Sequence, residues 1–214
     1  MSEKKSGFGN IILMIVALAV LIYIPISIAL IARKSPGTVA NTGKETANPG
    51  ATFKADAKYD APADMSGYRF LKSGQGAGFV LESMQTANYT LEHGTGLIYF
   101  GFEGCKWCQR AVPVLSDVAD NENMAIMYVD LASIDDEDQF DKLKSITSDY
   151  LDTDDDGKKV FYTPMVIAVK DGKIQGAHVG TVDSFTIEDE NSNLNDEQYK
   201  ELYEIYDKLA KAVE

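Results

Sequence analysis

The chain has 214 residues, 45% of them hydrophobic, and 20 Lys and Arg stand against 33 Asp and Glu for a net charge of −13. The apolar fraction excludes an intrinsically disordered chain, and the acidity excludes a basic nucleic-acid surface. Two cysteines are too few for a disulfide-stapled scaffold, so their work is local.

The charge is unevenly spread. Residues 1–63 hold seven basic and four acidic side chains, net +3, whereas residues 64–214 hold thirteen and twenty-nine, net −16. The acidity therefore belongs to the folded part, where it keeps a domain soluble and is compatible with cationic partners.

Residues 1–10 read as a short tail. Ile11 to Ala32 is a run of 22 residues without a charge, long enough as a helix to span a hydrocarbon core of about 30 Å. A cleaved leader has a shorter apolar region of about 7–15 residues, and this run continues past the small residues Ser27-Ile28-Ala29, so an uncleaved signal-anchor is expected over 11–32. Lys4 and Lys5 precede it and Arg33 and Lys34 follow it, which leaves its orientation undecided by charge. Residues 33–64, rich in Ala, Thr, Gly, Lys, Asn and Pro, bury too little to offset chain entropy and read as a flexible linker. The remaining 65–214 suffice for one domain.

Within that domain the pattern predicts an edge strand near Tyr68–Leu71, a glycine-rich turn at Gly74–Gly78, and a helix from about Phe79 to Leu91 ended by Gly94. The apolar run Leu97–Phe102 reads as a buried strand, with Gly101 and Gly104 turning the chain out of it. Cys105-Lys106-Trp107-Cys108 then opens a helix whose apolar positions are Ala111, Val112, Leu115 and Val118. A strand follows at Ala125–Val129, then a helix with Phe140, Leu143 and Ile146 on one face behind the acidic start Asp135–Asp138. Asp152 to Gly157 matches positions 1, 3, 5 and 6 of a calcium loop. Position 12 falls on Thr163 where a Glu is needed, so an acidic turn is the plainer reading. Met165–Val169 and Lys173–Val179 form a hairpin through Asp171-Gly172. The last helix begins at Asn195 with Gln198 completing a capping box, and its stripe is Tyr199, Leu202, Tyr203, Tyr206, Leu209 and Val213. Strands alternating with helices predict an α/β domain with parallel crossovers.

The two cysteines carry the chemistry. Cys105 lies near a helix N-terminus, where free N–H groups and the macrodipole favour an anion, and such placement lowers a thiol from its free pKa of about 8.5. Lys106 and Arg110 add positive charge that would tune it further. Two intervening residues let Cys108 reach back to resolve a mixed disulfide on Cys105. A dithiol switch is the expectation; an inert disulfide and half of a zinc site are the alternatives, the latter needing both His93 and His178 at irregular spacing. Each histidine is otherwise a satisfied surface or core residue. No metal or other cofactor is expected.

These residues resemble the thioredoxin superfamily over about Phe79 to Val213. Pro113, five residues after Cys108, matches the kink proline of the active-site helix. Thr163-Pro164 with the strand and hairpin after it looks like the cis-proline loop, and Gly180 like the glycine after the last strand. The resemblance implies a three-layer α/β/α fold with a mixed central sheet. Within it Trp107, Thr163 and Pro164 would contact substrate, and Cys105 and Cys108 would be nucleophile and resolving thiol. Less specifically, the chain is similar to membrane-anchored thioredoxin-like proteins of the bacteriocin transport accessory type. That likeness implies a single-pass anchor with the domain on the extracytoplasmic side, partners among exported cysteine-containing proteins or peptides, and a membrane redox partner. One departure stands out: Tyr99 occupies the place, six residues before the first cysteine, where thioredoxins bury a carboxylate. A non-enzymatic module that binds an exported peptide or a transporter is the alternative function.

Overall fold

The computed structural model describes residues 60–134 and 136–214. The expected span Ile11–Ala32 and nearly all of the 33–64 linker lie outside them; among the described residues no helix is long and apolar enough to cross a membrane.

The chain enters a six-stranded sheet through β1 (Ala61–Pro62), which pairs antiparallel with β2 (Phe79–Leu81). Helix α1 (Met84–His93), β3 (Gly96–Gly101), α2 (Cys108–Glu122), β4 (Ile126–Asp130) and α3 (Glu137–Ile146) follow. A short separate hairpin, β5 (Asp152–Thr153) with β6 (Lys159–Val160), precedes β7 (Met165–Lys170), β8 (Lys173–Val179) and α4 (Asp196–Lys211). The sheet order is β1-β2-β4-β3-β7-β8, with β2, β4 and β3 mutually parallel and β7 and β8 antiparallel to their neighbours.

Strand periodicity explains the layers. Side chains alternate across a sheet, so Leu97 and Tyr99 of β3, Ile126 and Tyr128 of β4, and Val166 and Ala168 of β7 pack into one core with α2 and α4. Ile98, Phe100, Val129, Met165, Ile167 and Val169 pack into the other with Leu91 of α1 and Leu143 of α3. A strand buried on both faces needs a continuous apolar run, which is what Leu97–Phe100 and Met165–Val169 supply. This is the mixed three-layer arrangement that the resemblance implies.

Two expectations at the start of the domain are corrected. Tyr68–Leu71 is not a strand, because the N–H groups of Tyr68 and Leu71 are used in successive turns onto the carbonyls of Met65 and Tyr68. The strand is instead Phe79–Leu81, expected as helix: its short apolar run lies parallel to β4, and α1 starts only where the Ser83 hydroxyl accepts the Thr86 N–H at 3.0 Å. The sheet also reaches back to Ala61, inside the stretch read as linker. The Asp171-Gly172 turn has φ +50° and +68°, and a side chain at 172 would strike the Glu92 backbone, so glycine is required there. The Asn195–Gln198 capping box is present.

Candidate active site

The site forms where the register of β3 and β7 brings distant residues together. Phe100 pairs with Met165, so the residues that follow β3 meet those that precede β7. Cys105 and Thr163, 58 positions apart, become neighbours. Thr163 Oγ1 lies 3.5 Å from Cys105 Sγ and donates toward it, and the Thr163–Pro164 peptide is cis. The Thr163 carbonyl oxygen is 3.7 Å from the same sulfur. That sulfur has no proton while bonded to Cys108; once reduced, an S–H there could donate to the carbonyl. Met165 also pairs with Val179, which sets Gly180 N–H on the Pro164 carbonyl at 2.8 Å.

Cys105 and Cys108 are joined as a disulfide with Cα atoms 5.1 Å apart. Helix α2 begins at Cys108 with no capping side chain. Its first N–H is used by sulfur instead, the Cys108 amide donating to Cys105 Sγ at 3.0 Å. A free helix N-terminus aimed at a sulfur favours the thiolate. Cys105 retains 7% of its surface and Cys108 none, so of the two only the first keeps any contact with solvent. Trp107 is 38% exposed and meets the ring of Phe185 edge-on at 5.8 Å, while Tyr162 beside Thr163 is 47% exposed.

The residues expected to supply charge divide. Lys106 is exposed. Arg110 is buried, and its guanidinium donates to the backbone carbonyls of Lys106 at 2.9 Å, Ser192 at 2.8 Å and Glu190 at 2.8 Å. Burial, with Arg69 nearby, holds its pKa below the usual range. Its bonds are those of a brace between α2 and the segment before α4.

In the core shared with the two cysteines, Tyr99 is not alone. Tyr68 Oη donates to Tyr128 Oη at 3.1 Å and lies 3.2 Å from Tyr99 Oη. A hydroxyl has one proton, so Tyr99 is the donor to Tyr68. Burial raises all three phenols well above their ordinary range. Where the resemblance leads one to expect a buried carboxylate, this chain has neutral phenols.

Sequence reasoning missed Gln109 and Phe185. Gln109 is buried in the first turn of α2, where its amide donates to the carbonyls of Gly67 and Glu103 and accepts the Arg69 N–H, tying the chain before β2 to the site. The only signal was a polar residue within an apolar helix. Phe185 is the one aromatic residue in the largely polar 180–194 stretch, and that could have marked it.

The other candidates lie apart. His93 is exposed against the ring of Tyr89; His178 is half-buried, its Nε2 donating to the Thr181 carbonyl at 2.8 Å, and burial lowers its pKa. The acidic turn is the loop of the β5–β6 hairpin, in which Asp154 Oδ1 accepts the N–H groups of Asp156 at 3.1 Å and Lys158 at 2.7 Å. Among the described residues no three Cys, His, Asp or Glu side chains converge as a metal site.

Compared with known proteins, the chain matches no family model and no curated protein. Among solved structures it is similar to thioredoxin O2 from Arabidopsis thaliana in its oxidized state, at 19% identity and a TM-score of 0.33, over 49% of this chain and 84% of that one.

Proposed function

We propose that this chain is a thiol–disulfide oxidoreductase, tethered by residues 11–32 on the extracytoplasmic side of a membrane and acting on exported cysteine-containing proteins. The observation that carries the reading is the asymmetry of the disulfide: Cys105 keeps a little surface, its sulfur held by a helix N-terminal amide and faced by Thr163, while Cys108 is sealed in the core. An inert bridge has no need of that asymmetry.

In the oxidising direction a substrate thiolate attacks Cys105 Sγ. The Cys105–Cys108 bond breaks, and Cys108 leaves as a thiolate that takes up a proton. A second substrate thiolate then attacks the substrate sulfur of the mixed disulfide and Cys105 leaves as a thiolate. The substrate loses two electrons and forms a disulfide; the protein gains them as a dithiol and returns them to a partner disulfide. Reduction runs the same steps backwards, with Cys105 as nucleophile and Cys108 resolving. The relative reduction potentials of the partners set the direction. Trp107, between the two cysteines, and Tyr162, next to Thr163, are exposed and offer apolar contact to a substrate chain.

Removing Cys108 tests this, because a mixed disulfide on Cys105 then has no internal resolving thiol. In cells carrying Cys108→Ala, reducible high-mass adducts with exported cysteine-bearing proteins are expected, and none in the Cys105→Ala Cys108→Ala control. Absence of adducts, together with failure of the purified protein to accelerate disulfide exchange, would replace this reading with the non-enzymatic binding module.

A further inference from the structure

Residues 180–194, between β8 and α4, form a built strap over the rim of the dithiol. At one end the Gly180 amide bonds the Pro164 carbonyl, which ties the strap to the loop facing Cys105. In its middle Ser184 accepts from Gln198 Nε2 at 3.0 Å, and Phe185, 7% exposed, packs edge-on to Trp107. Towards the other end the chain folds on itself: Asp189 Oδ1 accepts the N–H groups of Asn191 and Ser192, each at 2.8 Å, while Ser192 Oγ accepts that of Asp189 at 3.0 Å. That knot turns the carbonyls of Glu190 and Ser192 inward.

Both inward carbonyls end on Arg110. It lies in the first turn of α2, three residues after Trp107, and its third bond returns to the carbonyl of Lys106. Its guanidinium carbon and that of Arg69 both lie over the Phe70 ring, at 4.6 Å and 4.7 Å from the centroid, and Arg69 also donates to the Glu190 carbonyl. A planar fork with five donors can serve three carbonyls and stack at once; an ammonium cannot keep that geometry.

We propose that Arg110 is a positioning residue: by binding Glu190 and Ser192 to the first turn of α2 it seats the 180–194 strap, and so holds Phe185 against Trp107, whose exposed ring between the two cysteines is part of the surface that grips a protein substrate. The proposal rests on the oxidoreductase reading for its substrate arm alone. It replaces the charge-tuning role that sequence position suggests for Arg110.

Trp107 is the only tryptophan in the chain, so its emission reports this rim without interference. The purified full-length chain is compared with Arg110→Lys, Arg110→Met and Phe185→Ala. Three readouts are taken: Trp107 emission and quenching by acrylamide in the oxidised protein; kcat and KM for oxidised insulin with dithiothreitol as reductant; and the pH midpoint of Cys105 alkylation by iodoacetamide in a Cys108→Ala background. All three variants are expected to red-shift and expose Trp107. All three should raise KM about tenfold, equivalent to about 1.4 kcal/mol, with kcat moving far less. The alkylation midpoint should stay where it is. A midpoint that rises in Arg110→Met and returns in Arg110→Lys would overturn the proposal in favour of charge tuning. Unchanged Trp107 emission in Arg110→Met would overturn it outright. Should Arg110→Met fail to fold, Arg110→Lys and Phe185→Ala still decide. If wild-type protein does not turn over insulin, the Cys108→Ala adduct test judges the oxidoreductase reading, and the emission and alkylation arms, which need no substrate, judge the strap.

Discussion

At the scale of single residues, the difference between Cys105 and Cys108 comes from three positions of chain geometry. The first lies just outside α2, where an amide reaches its sulfur; the second begins the helix and is drawn into the core. Tyr99 shows the opposite case, a residue whose type could be read from the sequence and whose consequence could not. A phenol raised by burial and donating its proton to Tyr68 is no base below pH 10. On the proposed mechanism, Tyr99 would therefore not serve as the proton acceptor for Cys108. Tyr99→Phe is accordingly expected to leave the pH midpoint of mixed-disulfide resolution within about 0.3 units of wild type. It should cost about 0.5–1.5 kcal/mol of stability for the lost hydrogen bond, measured by urea unfolding beside stopped-flow resolution kinetics. A midpoint displaced by a full unit would make Tyr99 a proton relay after all.

At the scale of elements, the passage from β2 into α1 places a carboxyl where it is poorly solvated. Glu82 is 8% exposed, and burial, with Asp60 adding repulsion and Thr86 opposing by a hydrogen bond, pushes its pKa up to about 7. Its backbone amide donates to the Tyr128 carbonyl at 2.8 Å, which fixes the main chain at the junction with β4. The folded state thus holds a proton that the unfolded chain, with a pKa near 4.5, releases earlier. Stability from this group is complete below about pH 4.5 and is lost as pH rises through about 7. Glu82→Gln should be more stable than wild type at pH 8, by about 1–3 kcal/mol, with the advantage vanishing near pH 4.5. Chemical denaturation across that range checks it, and a gain that does not vary with pH would mean the carboxyl is solvated. The same junction explains why Phe79–Leu81 was misread. Three apolar residues ahead of a helix fit either period, and only pairing to Ile126–Tyr128 selects the strand.

At the scale of the whole molecule, the proposed tether and the proposed chemistry make one joint prediction. In intact cells, after mild reduction, an impermeant thiol reagent should label Cys105, and lysis should add little; labelling only after lysis would reverse the orientation proposed for residues 11–32. Alternation across two-faced strands, helical stripes, the Asn195–Gln198 cap and the C-x-x-C spacing are local patterns, and each follows from the chemistry of residues a few positions apart. They were enough to set an α/β domain with parallel crossovers, the helix carrying the cysteines and the hairpin after Pro164. What the sequence alone could not decide is everything that depends on which distant segments touch. The β3–β7 register puts Thr163 on Cys105, the turns after Met65 put Tyr68 on Tyr99 and Tyr128, and the folding back of residues 180–194 puts the Glu190 and Ser192 carbonyls on Arg110. Those contacts are set by sheet order and backbone hydrogen bonds formed across tens of residues, which side-chain periodicity along the chain does not encode.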